Sequence, residues 1–217
     1  MNLFLIDAIG PFFLGYEKRV VNWSKIPFVN LEKEGALDAE KAERILTAMK
    51  GFLERVSAMG YNAVTLDDIA HLISFDFYPE TYAKKIKQYR DLYRKIFSMA
   101  AEQEIKVFMN TDVVFFNTYI EQWLNNDRIK TIELLYQTVQ KALSEFPIAG
   151  IVFRIGETDG EDVEGDFKSR ILIKTPRQAN EIIKHLLPAF EQHNKTFIFR
   201  NWTVGAYPIG DLIWNRE

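Results

Sequence analysis

Ile148-Ala149-Gly150-Ile151-Val152-Phe153-Arg154-Ile155 is the stretch that decides the fold. It is a short apolar run broken only near its end, by a guanidinium. A strand with one wet face alternates apolar and polar residues, so a continuous run points to a strand covered on both faces, as in a parallel sheet. Outward from it lie four runs of the same kind, Leu3 to Ile9, Tyr61 to Leu66, Ile105 to Met109 and Thr196 to Arg200. Each ends in polar or aromatic residues. From the second onward the runs start about 45 residues apart, which suits strand–loop–helix–loop units joined by right-handed crossovers. The units share no sequence identity, so they do not form a solenoid repeat.

The intervening segments carry helical periodicity. One begins at Asp38, with Ile45, Met49, Phe52, Leu53 and Val56 near one face and Gly60 beyond its end. A second opens at Pro79 and Thr81, with Tyr82, Ile86, Tyr89, Tyr93 and Ile96 as its stripe. The third is split, Tyr119 to Leu124 and then Ile129 to Phe146. Thr175 and Pro176 make a cap and first-turn pair for the fourth. The first connection is longer than the others because Gly10 to Leu37 adds an aromatic loop. The expected fold is therefore α/β, a (β/α)-barrel of the TIM-barrel type with about five strands and four main helices, incomplete. A doubly wound open sheet is the alternative. It should show a Gly-rich phosphate turn after the first strand, and Ile9-Gly10-Pro11-Phe12 is no such turn. Residues 1–217 read as one domain, the N-terminal part of a barrel that stops before closing, so strands one and five should each present an open edge and invite self-association.

Composition narrows the function classes. A formal charge of −3 with no Lys/Arg stripe leaves no footprint for a nucleic acid. The absence of cysteine removes disulfides, thiolate metal sites and a cysteine nucleophile. No run reaches the roughly 20 apolar residues of a membrane span. The opening Phe4-Leu5-Ile6 is cut short by Asp7, and no basic flank or small-residue cleavage site makes it a signal peptide, so a complete chain would be cytoplasmic.

In a barrel the C-terminal strand ends build the site. After strand two come Asp67 and Asp68, able to hold sugar hydroxyls or to cap the next turn, and His71, without partners at metal-ligand spacing. After strand three, Asn110 is placed to hold a hydroxyl, and Phe115 and Phe116 to cover the rim. After strand four, Glu157, Asp159, Glu161, Asp162, Glu164 and Asp166 form an acidic loop. Glu157 and Arg154 stand apart because they lie at the strand end, where burial can raise a carboxyl into the range of a general acid. After strand five, Arg200 offers paired donors and Trp202 a flat apolar face, while Arg200 could instead pair with Glu157 or Asp159.

The blocks Ile105 to Asn110, Gly150 to Glu157 and Phe197 to Trp202 resemble strands three to five of bacterial α-glucuronidases, enzymes that remove glucuronic acid from xylan fragments. The resemblance covers about half the chain in short blocks. It implies a glycoside hydrolase that needs no organic cofactor, with Glu157 as acid, Arg154 just before it, and Arg200 facing the uronate. Gly156 and Thr158 depart from the Ser and Gly that flank the family's acid, and the family's base carboxylates lie on later strands. The expected site is then Glu157 as catalytic acid, with Asn110, Arg154, Asp159, Arg200, Trp202 and Asp68 as contacts for a carbohydrate, and no metal. A non-catalytic or vestigial carbohydrate-binding module and a metal-assisted hydrolase using the acidic loop are the rival expectations.

Overall fold

A computed structural model describes residues 2–15, 26–154, 166–169, 173 and 175–200. Its main sheet has five strands, all parallel: β1 (Leu5–Asp7), β2 (Ala63–Leu66), β3 (Lys106–Asp112), β4 (Gly150–Arg154) and β5 (Thr196–Arg200). They lie side by side in chain order. A doubly wound sheet would reverse its strand order midway, and this one does not. The fold is α/β, an arc of a (β/α)-barrel that does not close, with β1 and β5 at its two ends.

Helices α1 (Ala39–Ala58), α2 (Glu80–Glu102), α3 (Thr118–Leu124), α4 (Arg128–Glu145) and α5 (Pro176–His193) fill the connections. Each of four helices starts where a side chain accepts from the first unpaired amides: Asp38 from Glu40 and Lys41, Asn117 from Ile120, Asp127 from Ile129 and Lys130, Thr175 from Gln178. α3 and α5 end on left-handed asparagines, Asn125 and Asn194. The long first connection folds into 3-10 turns at Gly10–Phe13 and Phe28–Leu31, then a small hairpin pairing Glu32–Lys33 with Ala36–Leu37. Glu34 and Gly35 both adopt positive φ in its turn, as a two-residue hairpin loop of this hand requires.

The two faces of the sheet pack differently. Val64, Leu66, Val107, Met109, Ile151 and Phe153 join one large core with Met49, Leu53, Tyr93, Ile96, Val139 and Phe190 of the helices. The alternate positions, Leu5, Ala63, Phe108, Val152 and Ile198, form a separate small cluster with no helix residue in it. So the helices cover one face, and the other face is the concave lining of the arc. Gly150 belongs to that lining of necessity, since a Cβ there would come 2.0 Å from the carbonyl oxygen of Thr196 and 2.9 Å from the Phe108 ring.

Candidate functional site

Period two along each strand decides what the concave face carries. On β1 it reads Leu5, Asp7; on β2, Ala63, Thr65 and then Asp67; on β3, Phe108, Asn110, Asp112; on β4, Val152, Arg154; on β5, Ile198, Arg200. Every strand runs from an apolar residue to a polar or charged one at its C-terminal end. The face is thus a dry base with a charged rim, the end at which barrel sites are built.

Arg154 organises that rim. It is fully buried, and its three nitrogens each meet a different carboxylate: Nη1 to Asp67 Oδ1 at 3.2 Å, Nη2 to Asp68 Oδ2 at 2.9 Å, Nε to Asp112 Oδ1 at 3.2 Å. Burying a guanidinium is costly unless it is paired in this way. The aspartates are held in turn. Asp67 accepts from the Asn110 amide at 2.9 Å and from the Ile26 backbone N–H at 3.0 Å, and its own carbonyl accepts from the Tyr93 hydroxyl. Asp68 accepts from Ala70 N–H at 3.1 Å and so caps the 3-10 turn Ile69–His71, the turn-capping role open to it from the sequence.

A roof covers the charged cluster. His71 is stacked on Phe28, ring centroids 3.6 Å apart, with Phe167 edge-on at 4.7 Å. Phe115 and Phe116 are buried and pair with Lys168 and Ser169, and Phe115 borders the same space as Asp67, Asp68 and Asp112. Lys85, buried on α2, clamps this strap by pairing with Asp166 and with Glu32 at 3.1 Å, while the Tyr89 hydroxyl donates to Glu32 at 2.9 Å. The space left under the roof, bounded by Asp67, Asp68, His71, Asp112 and Asp166, is about 40 Å³, little more than one water molecule's share of liquid volume, roughly 30 Å³. A far larger groove of about 990 Å³ opens at the opposite end of the sheet, but its wall has the single carboxylate Glu104 among Arg94, Lys106 and Lys195. Size favours the groove; chemistry favours the C-terminal rim, where the carboxylates converge.

Asp7 differs from the buried aspartates because it is exposed. Thr65 donates its hydroxyl to Asp7 Oδ1. Partial burial of the carboxyl, and then the Asp67 charge, push its pKa up, while Arg200, the Asn110 amide and Arg154 pull it down.

Of the residues expected from sequence, Asn110, Arg154 and Asp68 meet in one network, and Arg200 lies opposite Arg154 in the β4–β5 register, half-buried. Asn110 sits within β3 rather than at its end, because that strand continues to Asp112. Glu157, Asp159 and Trp202 lie outside the described residues. Sequence reasoning missed Asp7, Asp112 and Thr65 as members of the rim. The signal for them was the two-residue step from Leu5, Phe108 and Ala63. Among the described residues no group of His, Asp and Glu is arranged to hold a metal ion, and no helix is long and apolar enough to cross a membrane.

No protein-family model and no curated protein matches the sequence. Among solved structures the chain is similar to a noncanonic maltogenic α-amylase from Thermotoga neapolitana, at 13% identity and a TM-score of 0.48, over 91% of this chain and 45% of that one. The chain spans less than half the length of that enzyme.

Proposed function

We propose that this is a carbohydrate-active, glycoside-hydrolase-like protein whose sugar site lies at the C-terminal ends of the five strands. The observation that carries the reading is the convergence there of Asp7, Asp67, Asp68, Asn110, Asp112, Arg154 and Arg200, one or more from every strand or its following loop. Carboxylates and amides at the mouth of a barrel arc are the groups that hold a polyhydroxylated ring. In this reading Glu157, three residues past Arg154, is the acid that protonates the leaving oxygen, and Arg200, Asp159 and Trp202 contact the sugar. Asn110, Arg154 and Asp68 act by fixing the floor on which it rests. A glucuronoside is the substrate whose carboxylate Arg200 would face in this reading. The open ends of the arc, β1 and β5, are in this reading the edges through which copies self-associate.

A second reading has its own support. The guanidinium of Arg154 is committed to three aspartates, and the roofed cavity is too small for a ring. Those features suit a non-catalytic or vestigial module, in which the Arg154 cluster is structural and any sugar binds outside the roofed space. One experiment separates the two: incubation with glucuronate-bearing xylo-oligosaccharides, following both product release and binding heat, for the wild type and Glu157→Gln. Turnover that Glu157→Gln abolishes with an unchanged melting temperature supports the hydrolase. Binding without turnover in either protein supports the module. Neither binding nor turnover refutes both.

A further inference from the structure

The strap over the strand-end carboxylates, residues 166–169, is held by contacts of three kinds among the described residues. Lys168 and Ser169 pair with Phe116 and Phe115. The Phe167 ring lies edge-on to His71 at 4.7 Å and to Phe115 at 5.9 Å, and tilts against Tyr82 at 6.4 Å. Asp166 pairs with Lys85 on α2. That ion pair can break without stranding a buried charge. The Lys85 side chain is only 9% exposed, and an ammonium so placed is strongly unfavourable without a carboxylate. It has a second one. Glu32, 13% exposed, lies 3.1 Å from Lys85 and accepts from the Tyr89 hydroxyl at 2.9 Å, and the ammonium also sits 5.0 Å from the centre of the Tyr82 ring. Asp166 is 36% exposed and already meets water. If the strap lifts, Lys85 and Glu32 remain a neutral pair and the aspartate leaves for solvent.

With the strap down, the space between Asp67, Asp68, His71, Asp112 and Asp166 is about 40 Å³, so nothing much larger than one water molecule fits among these groups. We propose, resting on the reading of the strand ends as the binding site, that the strap is a gate over that site and that Asp166 on Lys85 is its latch. Release of Asp166 lets Phe167 swing off His71 and opens the strand-end carboxylates to a solute. Because the aspartate is partly wetted, the latch weakens as ionic strength rises.

The three histidines of the 217-residue chain supply the test. His71 lies under the strap at 7% exposure, while His185 is exposed and His193 half-buried on α5. Diethyl pyrocarbonate, which acylates imidazoles, is much larger than the closed space and reaches His71 only when the strap is up. The rate at each histidine is read by peptide mass spectrometry. In the wild type His71 should react far more slowly than His185. Asp166→Asn keeps the side chain's shape and removes its charge, so it should speed the reaction at His71 by about two- to fivefold, the range of a partly exposed ion pair, with His185 and His193 unchanged. Raising sodium chloride from about 0.05 to 1 M should speed His71 in the wild type and do little in Asp166→Asn. A wild-type His71 that reacts as fast as His185 overturns the inference, because the roof is then not closed. So does a His71 rate that Asp166→Asn or salt leaves unchanged, which makes the strap a fixed part of the core. A rise shared in proportion by His193 reports general loosening and overturns it as well. Should Asp166→Asn not fold, the salt series on the wild type decides alone. No sugar enters the experiment, so the gate can fail while the carbohydrate reading stands, and that reading can fail in its own assay while the gate stands.

Discussion

Arg154→Met should be among the most damaging substitutions in this chain, and its size can be worked from the contacts. Methionine fills most of the guanidinium stem's volume, so packing is largely kept, and what is lost is the counter-ion of Asp67, Asp68 and Asp112. Removing one partner of a buried pair costs about 3–5 kcal/mol. The three pairs do not add. Asp67 keeps the Asn110 amide and Ile26 N–H, and Asp68 keeps Ala70 N–H and some solvent. A loss of about 3–5 kcal/mol is therefore expected from a total stability of about 5–15 kcal/mol. With a urea m-value of about 2–3 kcal/mol/M for a chain of this size, the midpoint should fall by about 1–2.5 M. The deficit should also shrink on acidification from pH 7 to 5. Aspartates left buried without a cation bind protons more readily folded than unfolded, so acid stabilises the variant and rising pH destabilises it. Urea curves by circular dichroism at both pH values make the check. A midpoint shift below about 0.5 M, or a larger one that ignores pH, would refute Arg154 as the organising ion of the rim.

Other outcomes follow from the same packing. Gly150→Ala drives a methyl into the Thr196 carbonyl, so it should cost about 3 kcal/mol or more and speed amide exchange along β5; exchange unchanged from wild type would contradict the register. Lys85→Met strands Glu32 and partly exposed Asp166, for about 2 kcal/mol after allowing for solvent, and should loosen the Phe115–Phe116 and Lys168–Ser169 ladder in hydrogen exchange, a change that must be absent if the strap is held by its phenylalanines alone. Burial raises the pKa of Tyr78, Tyr82, Tyr89 and Tyr93 above 10, so their contribution to stability is full below pH 10 and lost as pH rises beyond it. An absorbance titration should show four of the nine tyrosines resisting ionisation until the chain unfolds; nine titrating together would count against the packing. The backbone amides of Lys41 and Glu40 hold the Asp38 carboxyl below its usual range, so the α1 cap persists above pH 4 and fails as pH drops through the lowered value, readable as faster exchange at Glu40 and Lys41.

The strands and helices were legible because each is written in local chemistry. Runs buried on both faces announce themselves as unbroken apolar stretches, and Asp38, Asn125 and Thr175 punctuate the helices by side-chain hydrogen bonds or left-handed backbone. Even the split after β3 follows from Asn117 and Asp127, which cap two separate helices. β3 was read too short for a physical reason. Asn110-Thr111-Asp112 looks like a polar exit, but inside this arc polar residues continue the strand because the lining turns from apolar to charged along its length. The Lys85 clamp was illegible, since Glu32, Lys85 and Asp166 are far apart in the chain and share no pattern.

That difference bears on how the rim should be understood. A site built at strand ends depends on register and curl, which are properties of neighbouring strands rather than of any one stretch. Arg154 was visible as an oddity, a charge closing an apolar run. Its meaning was not, because the three carboxylates that neutralise it arrive from the ends of β2 and β3. Asp7 was more thoroughly hidden. From the sequence it only ends a short hydrophobic run, and nothing within ten residues suggests a partner. Its partner is Thr65, through the β1–β2 pairing, and the charges that bear on its carboxyl, Asp67, Arg154 and Arg200, come from other strands or their ends. The residue least visible in the sequence is thus the rim carboxyl that is exposed to solvent. If the Arg200 charge reaches it through the set of the sheet, loosening the arc at a distant point should show at Asp7. Gly150→Ala, which forces β4 and β5 apart, should move Arg200 away and raise the Asp7 carboxyl further, with its ¹³C titration shifting upward although residue 150 touches neither group. An Asp7 titration identical to wild type in a folded Gly150→Ala chain would show that Arg200 is not held in place by the sheet.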